Sequence, residues 1–276
     1  MKDSYAAKFF LLTFILSWGA WALLVRLAPA GLDPASPSYL LFMLGGFGPT
    51  LVGVFLTAAN EGRSGLGDLW RRTWRLSFGF QWYLVVFLLF PLLGALTIWI
   101  TRAAGGPAPD FSLAESLAAS PNLLIPALVS FFIFGALGEE FGWRGYALDR
   151  LQSRLGPAFG SLWLGVLWAV WHLPMFFITG LPQHDSGLSF PLFAVWIIAL
   201  SPIYTWIYNS TGRSLAAVLL FHWVSTITGS ILPTAQGETI GLLVISAALL
   251  IAWLRRPAPE LSAAENRPVS ALDRGK

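Results

Sequence analysis

Cysteine is absent from this 276-residue chain, which excludes disulfides, thiol nucleophiles and thiolate metal sites. Charge is scarce too: Asp, Glu, Lys and Arg supply 11% of the residues, against roughly 25% in an ordinary soluble domain. With so little charge, 56% hydrophobic residues, fourteen tryptophans and a mean hydropathy of +0.67, the expected solvent is a lipid bilayer. The chain also lacks a His-Glu-x-x-His zinc helix and a Gly-x-Ser-x-Gly nucleophile elbow. No internal repeat points to an inverted-repeat transporter.

What is present is a series of apolar runs. Crossing about 30 Å of hydrocarbon takes roughly 20 apolar residues as helix. Runs of about that size are Phe9 to Val25, Tyr39 to Ala59, Trp82 to Thr101, Leu123 to Leu148, Pro157 to Thr179, Phe190 to Tyr208, Ser214 to Leu232 and Ile240 to Leu254. The expected fold is all-α, a polytopic membrane protein with about eight transmembrane helices. Residues 1–256 form one membrane domain in this reading, and 257–276 a disordered cytoplasmic tail.

Positive loops stay cytoplasmic. Lys2 and Lys8, then Arg63, Arg71, Arg72 and Arg75, then Arg144, Arg150 and Arg154, then Arg213, and finally Arg255 and Arg256 all fall on one side if the N-terminus is inside. Both termini are therefore expected to be cytoplasmic, in a multi-pass protein of the cell membrane whose surroundings are membrane lipid. The net charge of +3 and pI near 9.4 then reflect sidedness, and no nucleic-acid partner is expected. Lysines before the first run and Ala28-Pro29-Ala30 after it resemble a cleavable signal, but the run exceeds the usual core of roughly 7 to 15 residues. It is expected to remain as an anchor. Between the second and third runs, Glu61 to Gln81 mixes Trp70 and Trp74 with Arg71, Arg72 and Arg75, the composition of a helix lying in the interface. Gly65-Leu66-Gly67-Asp68 within it resembles an aspartyl-protease motif, but no second aspartate lies at membrane depth, so a turn is expected there.

Charge reappears where it is costly. Glu139, Glu140 and Arg144 interrupt the run Leu123 to Leu148, and ionisable groups at membrane depth are functional by default. Helical spacing separates their roles, because residues four apart share a face while neighbours differ by about 100°. Glu140 and Arg144 can pair; Glu139 has Trp143 at that spacing and is directed elsewhere. Gly135, Gly138, Gly142 and Gly145 form a bare stripe on which another backbone can lie. A packing role for all three charges would leave Glu139 unexplained.

Two of the three histidines fall inside runs, His172 and His222, at roughly 22 Å and 13 Å from the cytoplasmic ends, depths that overlap that of Glu139. Trp168 precedes His172 by one turn and can pack on its ring. Pro174 cannot donate to the carbonyl of Val170 and should kink that helix. Thr226 follows His222 by one turn, where its hydroxyl can orient the ring or contact substrate. Two imidazoles and a carboxylate admit two hydrolytic arrangements. Glu139, His172 and His222 can bind Zn²⁺ with a position open for water, or Glu139 can be the general base while the histidines hold the water and stabilise the oxyanion. A proton relay in a transporter uses the same burial argument.

The order Glu139-Glu140-x-x-x-Arg144, Trp168-x-x-x-His172, His222-x-x-x-Thr226, on separate helices, resembles the CPBP intramembrane endopeptidases. That group contains the type II CAAX prenyl endopeptidases and the bacteriocin-processing and self-immunity proteins. The resemblance implies an intramembrane endopeptidase, metal-dependent or glutamate-dependent. Glu139 would be the water-activating glutamate, His172 and His222 its partners, and Glu140 and Arg144 a supporting pair. Its substrate would be a membrane-associated peptide or protein, lipidated on the CAAX pattern and entering from the cytoplasmic side. Trp168 stands where the family commonly has Phe, and Thr226 where it commonly has Asn; Thr is the shorter residue and the poorer metal ligand. A non-enzymatic immunity or partner-binding protein on the same scaffold is the alternative.

Overall fold

The computed structural model describes residues 3–28, 30–232 and 238–255. Among them every regular element is helical. We label these elements α1 (Asp3–Leu27), α2 (Tyr39–Gly46), α3 (Gly48–Thr73), α4 (Phe80–Ala103), α5 (Ser112–Ala119), α6 (121–155), α7 (157–171), α8 (Phe190–Ser210), α9 (Leu215–Ile231) and α10 (Glu238–Leu254). The tail expected at 257–276 lies outside the described residues.

Each apolar run of the sequence carries helix, but only some are long and apolar enough to span a membrane alone. Among the described residues four continuous stretches qualify, Tyr5–Leu27, Phe80–Ala103, Asn122–Phe177 and Phe190–Ser210; α2 with α3 makes a fifth if a 51° bend is allowed. Leu215–Ile231 and Ile240–Leu254 are shorter. The 56-residue stretch is two legs. At Gly156 the backbone leaves helical geometry (φ 71°, ψ 170°), a region open to glycine at little steric cost. The chain then folds back so tightly that a Cβ on Gly160 would lie 3.0 Å from the Cα of Gln152. The Gly156-Pro157 loop signal is thus realised as a hairpin between α6 and α7.

Two expectations are corrected. Pro174 does not kink a helix running to Thr179, because α7 has already ended at Trp171 and a 3₁₀ turn, Leu173–Phe177, follows. The missing N–H ends the α pattern instead of bending it. The Gly65–Asp68 stretch is helical, since a break at Gly62 (φ 62°) restarts α3 as a short leg over 63–73. Trp70 and Trp74 are exposed and meet edge to face at 5.4 Å on that leg.

Small residues set the packing of α1 to α3 around α6. Ser17 donates to the carbonyl of Gly45 (2.7 Å) and Trp21 Nε1 to that of Phe42 (3.1 Å), seating α2 on α1. Thr50 then donates to the carbonyl of Leu137 (2.7 Å), and the backbones of α3 and α6 touch where a Cβ on Gly53 would meet Gly142 Cα at 2.9 Å. On the other flank Ser201 of α8 donates to the carbonyl of Ser161 in α7 (2.8 Å), beside Gly165.

The glycine stripe of α6 is therefore divided. A methyl group on Gly138 would stand 2.9 Å from the carbonyl oxygen of Gly46, and one on Gly142 2.3 Å from that of Pro49. On Gly135 it would meet only side-chain atoms, at 3.6 Å. Gly142→Ala should therefore cost on the order of 1–3 kcal/mol, as overpacking does, while Gly135→Ala leaves stability close to that of the parent. Thermal unfolding of the two variants in detergent checks this contrast.

Candidate active site

Glu139 and Glu140 lie in a short α-helical piece, Gly138–Gly142, between two π-helical turns, Phe131–Leu137 and Trp143–Ala147. Single π turns inside α-helices often occur at functional sites. Glu140 and Arg144 are fully buried, and Arg144 Nη1 donates to both carboxylate oxygens, at 2.9 and 3.1 Å. The four-residue spacing predicts this pair. The sequence leaves unseen where the rest of the guanidinium goes: it lies over the rings of Trp168 (4.5 Å) and Tyr204 (4.1 Å), while its Nε and Nη2 have no hydrogen-bond partner.

Glu140 has a second role. His222 Nδ1 stands 2.7 Å from its Oε1. A carboxylate takes a hydrogen bond from Nδ1–H, which leaves the Nε2 lone pair for other partners in the neutral ring. The ring of His222 is thus oriented by Glu140 on another helix, and not by Thr226.

His172 is fixed in the same sense by different means. It closes the C-terminus of α7, where its backbone N–H reaches Ala169 O (3.1 Å), and its Nδ1 stands 2.8 Å from the Trp168 carbonyl oxygen. A carbonyl only accepts, so Nδ1 carries the proton and Nε2 its lone pair. The neighbouring Trp171 carbonyl takes the indole N–H of Trp18 (3.1 Å). Backbone groups released where the helix stops are accounted for.

Glu139 is 6% exposed and has no cation of its own. Its Oε2 accepts two indole N–H bonds, from Trp143 (3.0 Å) and Trp168 (2.5 Å). Both donors use Oε2, so Oε1 keeps its lone pairs for water or substrate. Trp168 packs against His172 and also against His222, with ring centroids 6.0 and 5.9 Å away. The sequence reading assigned it only the first of these contacts; its indole N–H is a hydrogen-bond donor that phenylalanine lacks.

Glu139, His172 and His222 all line one cavity of about 420 Å³, together with Tyr204, Thr226 and Gly135. Thr226 Oγ and His222 Nε2 are equally far, 3.6 Å, from the point a Gly135 Cβ would occupy, so this glycine keeps the space before them open. Tyr204 was not singled out by sequence. It comes from α8, its hydroxyl meets Ser225 at 3.3 Å, and a tyrosine in an apolar run carries no spacing signal of its own.

The tautomers suit a metal better than the spacing does. Ligating histidines usually donate their other N–H to a carboxylate or carbonyl, as both do here. No three His, Asp or Glu side chains among the described residues converge closely enough to hold an ion. Thr226 adds a hydroxyl in place of a stronger ligand.

A carboxylate and two imidazoles at the floor of a cavity walled by apolar helices define a helical membrane protein with a buried polar centre. Comparison with known proteins narrows the class. Residues 121–228 match the family of Type II CAAX prenyl endopeptidase Rce1-like proteins, a span that includes every residue from Glu139 to Thr226 discussed above. CAAX prenyl protease 2 of Methanococcus maripaludis is 28% identical over 257 residues, covering 89% of this chain and 92% of the relative. Residues 121–228 are thus similar to the Rce1-like CAAX prenyl endopeptidases, the resemblance that the motif order indicated.

Arg144→Met would leave Glu140 buried without its counter-charge, an arrangement that costs about 3–5 kcal/mol. The double variant with Glu140→Gln should recover part of that loss. Denaturation of the three proteins in one detergent gives the comparison.

Proposed function

We propose that this chain is an intramembrane endopeptidase of the CAAX-processing type, which hydrolyses a peptide bond of a membrane-associated peptide or protein. We place it in the cell membrane as a multi-pass protein of eight spans with both termini cytoplasmic. Within that reading α6 and α7 count as separate spans and the shorter α9 and α10 as two more. The observation that carries the activity is Glu139, a carboxylate held on the cavity floor by two indole donors, with one oxygen unengaged.

The chemistry follows from those positions. Oε1 of Glu139 accepts a proton from water as the water oxygen bonds to the scissile carbonyl carbon. The second O–H of that water is accepted by Nε2 of neutral His172, while His222, protonated from solvent beside the Glu140 carboxylate, donates from Nε2 to the tetrahedral oxyanion. Glu139 then passes its proton to the amide nitrogen, the C–N bond breaks, and an amine and a carboxylic acid leave. Glu140, with Arg144 behind it, is a positioning group that sets the ring of His222. Thr226 supplies a hydroxyl at the same opening, where the shorter side chain leaves more room than an asparagine.

Zinc is the second reading, favoured by the two histidine tautomers. Glu139, His172 and His222 are the residues that would hold it, once drawn closer than this structure has them, and it would supply an acidified water. By likeness to that relative, the substrate is a lipidated CAAX protein.

Glu139→Gln should lower hydrolysis of a membrane-tethered peptide by about 10²-fold or more, the usual worth of a general base, while the melting profile is retained. Full activity in that variant would sink the assignment and leave the immunity or partner-binding alternative. The zinc reading is separated by metal content and chelation: under the glutamate-only mechanism activity persists in metal-free protein, whereas a zinc enzyme loses it and regains it on adding zinc.

A further inference from the structure

The short leg of α3 over 63–73 takes no part in the chemistry at Glu139, and its arginines fall into two kinds. Arg72 is buried and engaged: its Nη1 donates to Tyr208 Oη (2.6 Å), its Nη2 to Gly145 O (3.1 Å), and Asp68 Oδ2 lies 2.8 Å from its Nε. That side chain joins α3 to α6 and α8. Arg71 and Arg75, four residues apart and so on one side of the leg and its end, are exposed. Arg71 donates from Nη2 to Asp68 Oδ1 (2.5 Å) and Arg75 to the carbonyl of Gly212. Among the described residues neither guanidinium makes a further hydrogen bond, which leaves donors on both for another partner.

Both arginines line a groove of about 710 Å³ between the leg, the 74–79 connection and the turn at Thr211 and Gly212. Ser77, Gln81 and Ser210 add hydroxyl and amide groups, and among the described residues that line it none is acidic. The walls are held in place: Phe78 is buried and stacks on Tyr83 at 4.4 Å, Tyr83 Oη donates to Leu76 O (2.7 Å), and Ser214 Oγ donates to Arg75 O (2.5 Å). Three membrane helices meet there, since α4 begins at Phe80, α8 stops at Ser210 and α9 starts at Leu215. The groove therefore lies where hydrocarbon gives way to headgroups. Beside its polar lining Trp70, Trp74, Leu76 and Phe80 expose large apolar surfaces, and tryptophan is the residue that favours this level of a bilayer.

We infer that this groove binds the headgroup of an anionic phospholipid, its phosphate held by Arg71 and Arg75 and its acyl chains laid against Leu76 and Phe80. A guanidinium presents paired donors that match phosphate oxygens, and arginines beside a membrane segment attract anionic lipid. A free phosphate would use the arginines alone; the exposed apolar residues next to them select a lipid. A zwitterionic headgroup brings a cation of its own, and the groove has no carboxylate to receive it. The groove shares no lining residue with the Glu139 cavity, so the inference stands apart from the hydrolytic reading.

The full chain in detergent, titrated with dioctanoyl phosphatidylglycerol, should show a saturable rise in its thermal unfolding midpoint. Dioctanoyl phosphatidylcholine and glycerol phosphate at the same concentrations should produce none. Arg71→Gln should raise the half-saturating concentration of phosphatidylglycerol about fivefold, the worth of one arginine at an anionic surface, and Arg71→Lys should recover most of that loss. The Arg71 side chain is 71% exposed, so the fold tolerates both changes, and the midpoint without lipid checks this. Arg63→Gln removes the same charge from the same leg outside the groove and should leave the response as it is in the parent. The inference is overturned if phosphatidylglycerol gives no rise, if phosphatidylcholine matches it, or if glycerol phosphate matches it, which would mean a free-phosphate site. Equal weakening by Arg63→Gln also overturns it, since the response would then come from diffuse surface charge.

Discussion

A guanidinium enclosed on every side is the constraint around which the centre of this molecule is arranged. Arg144 is out of reach of solvent, and a bare charge in such a place is affordable only with a counter-charge and polarisable neighbours. Glu140 supplies the first, the rings of Trp168 and Tyr204 the second. Each of those partners then does something else: Glu140 turns His222, Trp168 donates to Glu139, and Tyr204 ties α8 to Ser225 of α9. Four helices are held in register by the need to neutralise one side chain. The unsatisfied donors at Nε and Nη2 suggest how little slack this arrangement contains.

Relations within one helix were legible in the sequence. The four-residue spacing predicts the Glu140–Arg144 pair, and overlapping depth brings Glu139, His172 and His222 to one cavity. Relations between helices were not, because no local period reports which face of a neighbour is opposite. Hence Trp168 as a second donor to Glu139, Glu140 as the orienting group for His222, and Tyr204 over Arg144 became visible only in three dimensions. Proline and glycine were legible as punctuation but less so in kind. Pro174 marks an end where a kink was expected, and Gly62 restarts a helix where a turn was expected.

The glycine row of α6 shows how one local pattern can serve two ends. Gly138 and Gly142 admit the backbones of α2 and α3 at distances no side chain tolerates, and Gly145 admits the side chain of Leu69. Gly135, one turn away, borders the space before His222 and Thr226. Close packing below and open volume above are built from the same residue type, and the difference lies in what the neighbouring helix presents.

The two π turns bracketing the glutamates act as a setting of angle. A π turn holds one more residue than the α turn it replaces, so each shifts the azimuth of everything beyond it by about 100°, the step of a single helical residue. Were Phe131–Leu137 wound as ordinary α-helix, Gly135 and Glu139 could not keep their present bearings relative to one another and to the neighbouring helices. The carboxylate's aim is thus written into a surplus of one residue in the backbone, a form of addressing that length alone can create or erase.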